Sequence, residues 1–241
     1  MQPGGGIDYL HSYHSSRARV DWNRCGQAAV ATLLDYHGLG PYGLKKPIFD
    51  EKDGRRHWAD GEIIDRICED FPPNHLFGLF GTTPGQLVRA LRFAGLEASW
   101  AASMKKGKGR QKIWKEVKRS IEAGLPVIVT MDMGKLGGRR LTAHWGVIYR
   151  TEDANVYLAN TRNITIVPEA RFLRAFECWF MLPRFHHCAV FARPYTPREA
   201  LRTERGGVVW RLVAGVGRDG AVGGERRLYT DSSPSQSNSL R

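Results

Sequence analysis

Apolar positions recur at helical spacing in the first half of the chain and at strand spacing in the second. From Cys25 to His37 the run CGQAAVATLLDYH sets Ala28, Ala29, Thr32, Leu33 and Tyr36 on one face, with Gly38 as a natural stop. Cys25 then stands at the N-terminus of that helix. Residues 59–71 repeat the pattern through Ile63, Ile64, Ile67 and Cys68, until Pro72 and Pro73 end it. The run GTTPGQLVRALRFAGL predicts a helix capped by Thr82 or Thr83, with Pro84 at its first position and Gly95 closing it. A short strand from Leu96 to Trp100, the basic loop MKKGKGRQK and an amphipathic helix from Ile113 to Ala123 follow, the last stopped by Gly124.

Strands dominate after that point. Pro126 to Met131, His144 to Tyr149 and Val156 to Asn160 are β-rich runs bounded by turn residues. Helices first and strands afterwards predict an α+β fold with N-terminal helices packed on an antiparallel sheet, not an alternating doubly wound one. The last two strands flank a turn at Thr151 to Ala154 and read as a hairpin. If its loop has an odd number of residues centred near Glu152, His144 falls opposite Asn160, with their Cβ atoms about 5 Å apart.

Gly, Ser and Arg crowd both ends. The pattern therefore predicts a flexible arm over residues 1–19, one domain over 20–193, and a basic, largely disordered tail over 194–241 that cannot bury enough apolar area to offset ordering entropy. Within that tail GGVVWRLVAG is the stretch able to add an edge strand. At 241 residues and 42% apolar content, the chain can bury one sizeable core, and a monomer is expected. The start, MQPGGGIDYLHSYHSS, lacks the basic and apolar regions of a signal peptide. No apolar run approaches the roughly 20 residues of a membrane helix. Four scattered cysteines do not make a disulfide framework, so a reducing cytoplasm is the default; export without a cleaved signal would leave the same sequence.

A net charge of +12 attracts polyanions without any specific site. The basic run Lys105, Lys106, Lys108, Arg110 and Lys112 is the candidate for weak polyanion binding, with Trp100 and Trp114 placed to stack bases. The plainer reading is a solvated loop beside two core tryptophans, since no nucleic-acid motif accompanies it. Cys178, His186, His187 and Cys188 carry zinc-ligand chemistry. Their adjacency does not suit convergence on one ion, so no metal and no cofactor is expected.

A cysteine at a helix N-terminus differs from a buried apolar cysteine, because the unpaired N–H groups and the helix dipole there stabilise thiolate. Cys25 is flanked by the polar Asn23 and Arg24, and Gly26 beside it leaves room for a substrate carbonyl and a backbone donor. With His144 as base and Asn160 as the acceptor that fixes its tautomer, the imidazole could take a proton from Cys25. Nucleophile on a helix start, base on a strand and orienting amide on the next strand form a catalytic triad of the cysteine-hydrolase kind.

The run DWNRCGQAAVATLLDYHG, then GTTPGQLVRALRFAGL, IEAGLPVIVTM, AHWGVIYR and VYLANT, resembles the bacteriocin-processing type of papain-like cysteine peptidase, the double-glycine leader peptidases and their stand-alone relatives. The similarity runs over roughly residues 20 to 182. It implies a papain-like fold, a peptide or protein substrate, and thiol-dependent cleavage of a peptide or isopeptide bond through an acyl-enzyme. Carried over, Cys25 matches the family nucleophile, His144 the base and Asn160 the third member, where the family more often has Asp before Pro. The family's oxyanion-hole glutamine sits six residues before the nucleophile, and that position here is Arg19. One such donor is worth about 3 kcal/mol of transition-state stabilisation. Asn23, Arg19 and Gln27 are the substitutes on offer, together with the Cys25 backbone N–H. An amine acceptor in place of water would make the chain an acyltransferase, and a weak oxyanion site would leave a peptide-binding member of the family.

Overall fold

The computed structural model describes residues 5–14, 23–40, 48–50, 55–73, 81–103, 107–138, 142–161, 164–178 and 186–195. Arg19, Lys105, Lys106, the GGVVWRLVAG segment and the tail beyond Tyr195 lie outside the described residues. In chain order the elements are β1 (Gly5–Gly6), α1 (Cys25–Tyr36), β2 (Ile48–Asp50), β3 (Arg55–His57), α2 (Asp60–Asp70), α3 (Pro84–Phe93), β4 (Leu96–Ser103) and α4 (Lys108–Glu122). Then come β5 (Val127–Asp132), a 3-10 turn (Met133–Leu136), β6 (Ala143–Glu152), β7 (Asn155–Ala159), β8 (Ile166–Pro168), α5 (Glu169–Ala175) and β9 (His187–Pro194).

The fold is α+β, built on an antiparallel sheet in the order β4-β9-β5-β6-β7-β8. Side-chain alternation along its strands feeds two apolar cores, one on each face. On one face Leu96, Ala98, Ile128, Val147, Val190 and Ala192 meet α1, α2 and α3. On the other, Val127, Val129, Met131, Ile148 and Ala189 meet α4 and α5. Helix α1 is buried without interruption from Gly26 to Leu34, because it runs between the sheet and the two helices that follow it. Helix α3 starts on a complete capping box: Thr83 Oγ1 accepts from Gln86 N at 3.3 Å, and Thr83 N donates to Gln86 Oε1 at 2.8 Å.

Three expectations need correcting, and one strand was not foreseen. Residues 5–14, expected in a loose arm, are packed: Gly5 and Gly6 pair with Thr151 and Arg150 of β6, and Leu10 and Tyr13 are buried. Composition hid this, since two apolar side chains suffice to anchor a polar segment. Helix α4 begins at Lys108, five residues before the expected Ile113, because Gly107 at φ 70° turns the chain and its carbonyl accepts from Gln111 N. Lys108, Arg110 and Lys112 are therefore helical. Strand β9, which the His186-His187-Cys188 cluster concealed, is central: it pairs with β4 along its whole length and with β5.

The hairpin between β6 and β7 has a two-residue turn, Asp153-Ala154, with both residues at positive φ as a type I′ turn requires. A bulge at Tyr149 follows, so Val147 pairs with Ala159. Continuing that register puts Asn160 across from Gly146, not His144. The turn is centred between Asp153 and Ala154 instead of on Glu152, which moves the partner of Asn160 from His144 to Val147, and the bulge returns it by one residue.

Candidate functional site

The start of α1 and the start of β6 meet at Thr82. A Cβ at Gly26 would lie 2.7 Å from Thr82 Cβ and 3.0 Å from Leu87 Cδ2, so only glycine lets the first turn of α1 settle on the loop before α3. The space beside Gly26 is filled by those side chains, which corrects the expectation that it is open to a substrate. Trp145 Nε1 donates to the Thr82 carbonyl at 2.8 Å and brings β6 to the same loop.

This packing sets the half-buried Cys25 thiol against His144. Burial alone would raise the thiol's pKa. A hydrogen bond to the His144 side chain, the charge that imidazole can carry, and the backbone N–H groups of Trp145 and Gly26 act the other way, and the net result is a pKa below the ordinary thiol value. Helix α1 has no side-chain cap at its N-terminus, so no side chain takes up its first amides, and Arg24 pairs with Asp65.

His144 Nε2 is hydrogen-bonded to the main-chain carbonyl of Asn160. A carbonyl only accepts, so Nε2 carries the proton, and Nδ1 is the nitrogen left for Cys25. The expected acceptor was the Asn160 side chain, but the turn is centred on Asp153-Ala154 instead of Glu152, so Asn160 is not across from His144, and its side chain is held by Thr32. Asn160 instead sits in the left-handed region at φ 66°, with Oδ1 accepting from the buried Thr32 Oγ1 at 2.7 Å and its N–H donating to Ser12 Oγ at 2.7 Å.

Among the oxyanion candidates, Gln27 is committed elsewhere. It is 1% exposed, its Nε2 donates to the Phe71 carbonyl at 2.9 Å, and its Oε1 accepts from Thr82 Oγ1 at 2.9 Å. It joins α1 to the end of α2 and to the loop before α3, and is not available to a substrate. Asn23 stands just ahead of α1 with φ 61°, half-buried. The sequence offered Thr32 as a helix-face residue and Thr82 as a helix cap, not as neighbours of the site, and Ser12 carried no signal; a threonine among the apolar positions of α1 was the signal for Thr32.

The other three cysteines are held as thiols by burial: Cys68 is pushed up to about 11, Cys188 to about 12, and Cys178 upward as well. His187 Nδ1 donates to the Ser103 carbonyl at 3.0 Å, and burial holds its pKa down. Among the described residues no group of three His, Cys, Asp or Glu is arranged to hold a metal ion. Trp114 is buried, with Nε1 on Glu169 Oε1 at 2.8 Å, so it cannot stack a base; Trp100 is 43% exposed. No described helix is long and apolar enough to cross a membrane.

No protein-family model and no curated protein matches the sequence. Solved structures do. A Bacillus anthracis protein named as a C39-like peptidase superposes with a TM-score of 0.50 at 16% identity, covering 81% of this chain and 100% of that one. A double-glycine-motif protease from an AMS/PCAT transporter, solved with its leader peptide, gives 0.45 at 16% identity, covering 80% of this chain and 100% of that one. The peptidase domain of the Streptococcus ABC transporter ComA gives 0.44 at 16% identity, over 74% of this chain and 96% of that one. The first of these likenesses shows a shared papain-like α+β fold.

Proposed function

We propose that this chain is a cysteine hydrolase that cleaves a peptide or isopeptide bond through an acyl-enzyme on Cys25. The observation that carries the reading is the hydrogen-bonded contact of Cys25 with His144 at the start of a helix, where a thiol that burial should raise is instead lowered. A thiolate held there attacks the scissile carbonyl carbon. The imidazolium gives its proton to the leaving amine as the C–N bond breaks, and the thioester remains. Water, deprotonated by the now neutral His144, attacks the thioester and returns the thiol. An amine in place of water would give acyl transfer by the same first step.

The substrate class follows from this chemistry: an acyl donor whose carbonyl can reach a half-buried sulfur, on a peptide or protein. Asn23 and the Cys25 N–H are the proposed oxyanion donors among the described residues, and Arg19 is the third candidate. The acceptor facing His144 is a neutral carbonyl, which orients the ring without adding charge to stabilise an imidazolium, so modest turnover is expected.

The test is a thiol-directed peptidyl probe followed by mass mapping of the adduct, alongside cleavage of a peptide library. Labelling confined to Cys25 and abolished in His144→Ala, with cleavage lost in Cys25→Ala, is the expected result. Cleavage that persists at the wild-type rate in Cys25→Ala would sink the reading. Full labelling without any cleavage or acyl transfer would point to a peptide-binding protein.

A further inference from the structure

We infer that Ser12 and Thr32 are positioning residues for His144, acting through the main-chain carbonyl of Asn160. The inference rests on the reading of Cys25 and His144 as nucleophile and base.

A carbonyl on a chain leaving a strand is a poor orienter unless the residue that carries it is held. Asn160 is the first residue after β7, and its left-handed φ of 66° is an uncommon conformation for a residue with a side chain. Three contacts hold it. Its Oδ1 accepts from Thr32 Oγ1 at 2.7 Å, its N–H donates to Ser12 Oγ at 2.7 Å, and Ser12 Oγ also approaches Oδ1 at 3.5 Å. Both the residue and Thr32 are buried, at 4% and 0% exposure, so these bonds are not diluted by water. The side chain of Asn160 is thus used to aim its own carbonyl at His144 Nε2.

The clamp is itself anchored. Tyr13 N donates to Thr32 Oγ1 at 3.3 Å, and the Tyr13 hydroxyl donates to Asp35 Oδ1 at 3.1 Å while accepting from Trp58 N at 3.1 Å. Asp35 in turn holds His57 Nδ1 at 2.6 Å. Segment 10–14, helix α1 and the end of β7 therefore converge on one residue, Asn160. Cys25 and Thr32 lie on the same helix about two turns apart. One rigid element carries the nucleophile and the hydroxyl that steers its partner's orienter.

The experiment uses the full chain and measures the rate of Cys25 alkylation by iodoacetamide from pH 5 to 9, with folding checked by circular dichroism and thermal midpoint. In Thr32→Val, which keeps shape and removes the hydroxyl, alkylation at pH 6 should fall about 10-fold, the loss expected of a misaimed base. Thr32→Ser should restore it to within about 2-fold. Ser12→Ala, on a part-exposed segment, should fall in the same direction if Thr32→Val fails to fold. Asn160→Ala retains the main-chain carbonyl yet should behave like Thr32→Val, because Oδ1 is gone. Folded Thr32→Val and Ser12→Ala proteins with wild-type profiles would overturn the clamp, as would an equal loss in Thr32→Ser. The His144→Ala profile separates the two claims: if it is unchanged, the nucleophile and base assignment fails and the clamp with it. If it moves while the clamp variants do not, only the clamp fails.

Discussion

The carbonyl of Thr82 accepts the indole N–H of Trp145 at 2.8 Å, and this bond ties the strand that carries His144 to the loop that supports the helix of Cys25. The same residue's hydroxyl donates to Gln27 on α1. Thr82 therefore links the two elements that carry thiol and imidazole. Trp145→Phe keeps the ring in the core and leaves a buried carbonyl unpaired, at a cost of about 1–3 kcal/mol. Urea denaturation should show that loss. A wild-type midpoint would mean the bond does not hold the strand.

Gly26 and Gly85 should respond oppositely to alanine. At Gly26 the new Cβ meets Thr82 and Leu87 at 3.0 Å or less, and overpacking of that kind costs about 1–3 kcal/mol. At Gly85, in the first turn of α3, nothing lies within 4 Å, and alanine gains up to about 1 kcal/mol of helix propensity. Thermal midpoints of the two variants should therefore bracket the wild type. Gly26→Ala should also slow Cys25 alkylation, since the helix start must shift to admit it.

Alkylation of the native protein should be selective. Cys25 should react well below the usual thiol range of about 8.5, whereas Cys68, Cys178 and Cys188 should stay silent until the chain unfolds. Peptide mapping after brief iodoacetamide treatment at pH 6.5 reads this directly. Modification of Cys68 at a comparable rate would contradict the burial that raises it.

Most helices and several strands were legible in the sequence because they carry local signals. Pro84 after Thr82-Thr83 marks the start of α3, and Ile113, Trp114, Val117 and Ile121 mark the buried face of α4. The hairpin register was not legible. It depends on a bulge at Tyr149, and nothing in the run HWGVIYRTE distinguishes a bulged strand from a regular one. The same holds for the acceptor of His144, since a main-chain carbonyl is present at every residue and leaves no compositional trace. Strand β9 was readable in principle from the alternation of Cys188, Val190 and Ala192 with Ala189 and Phe191. His186 just ahead of it and His187 at its first position carry ligand chemistry that masks the alternation.

Acid should weaken the fold through His37. Burial at the C-terminal end of α1 lowers its pKa from 6.5 to about 4. Between those values the unfolded chain binds more protons than the folded one, so stability falls as pH drops from about 6.5 towards 4. His187, also lowered by burial, adds a slope of the same sign. The difference between thermal midpoints at pH 7 and pH 4.5 should shrink in His37→Gln. An unchanged difference would assign the acid sensitivity to other groups.

Strand β6 is longer than the partner on its β5 side. Strand β5 accompanies it only from Ala143 to Ile148, and beyond that point Gly5 and Gly6 take over the same side, with Ile7 N donating to the Tyr149 carbonyl. Without those three residues the second half of β6 would present open amides and carbonyls to any passing strand. A pair of glycines with no side chain to contribute thus acts as a guard against self-association, and a protein trimmed of residues 1–8 should begin to scatter light at concentrations where the intact chain stays dispersed.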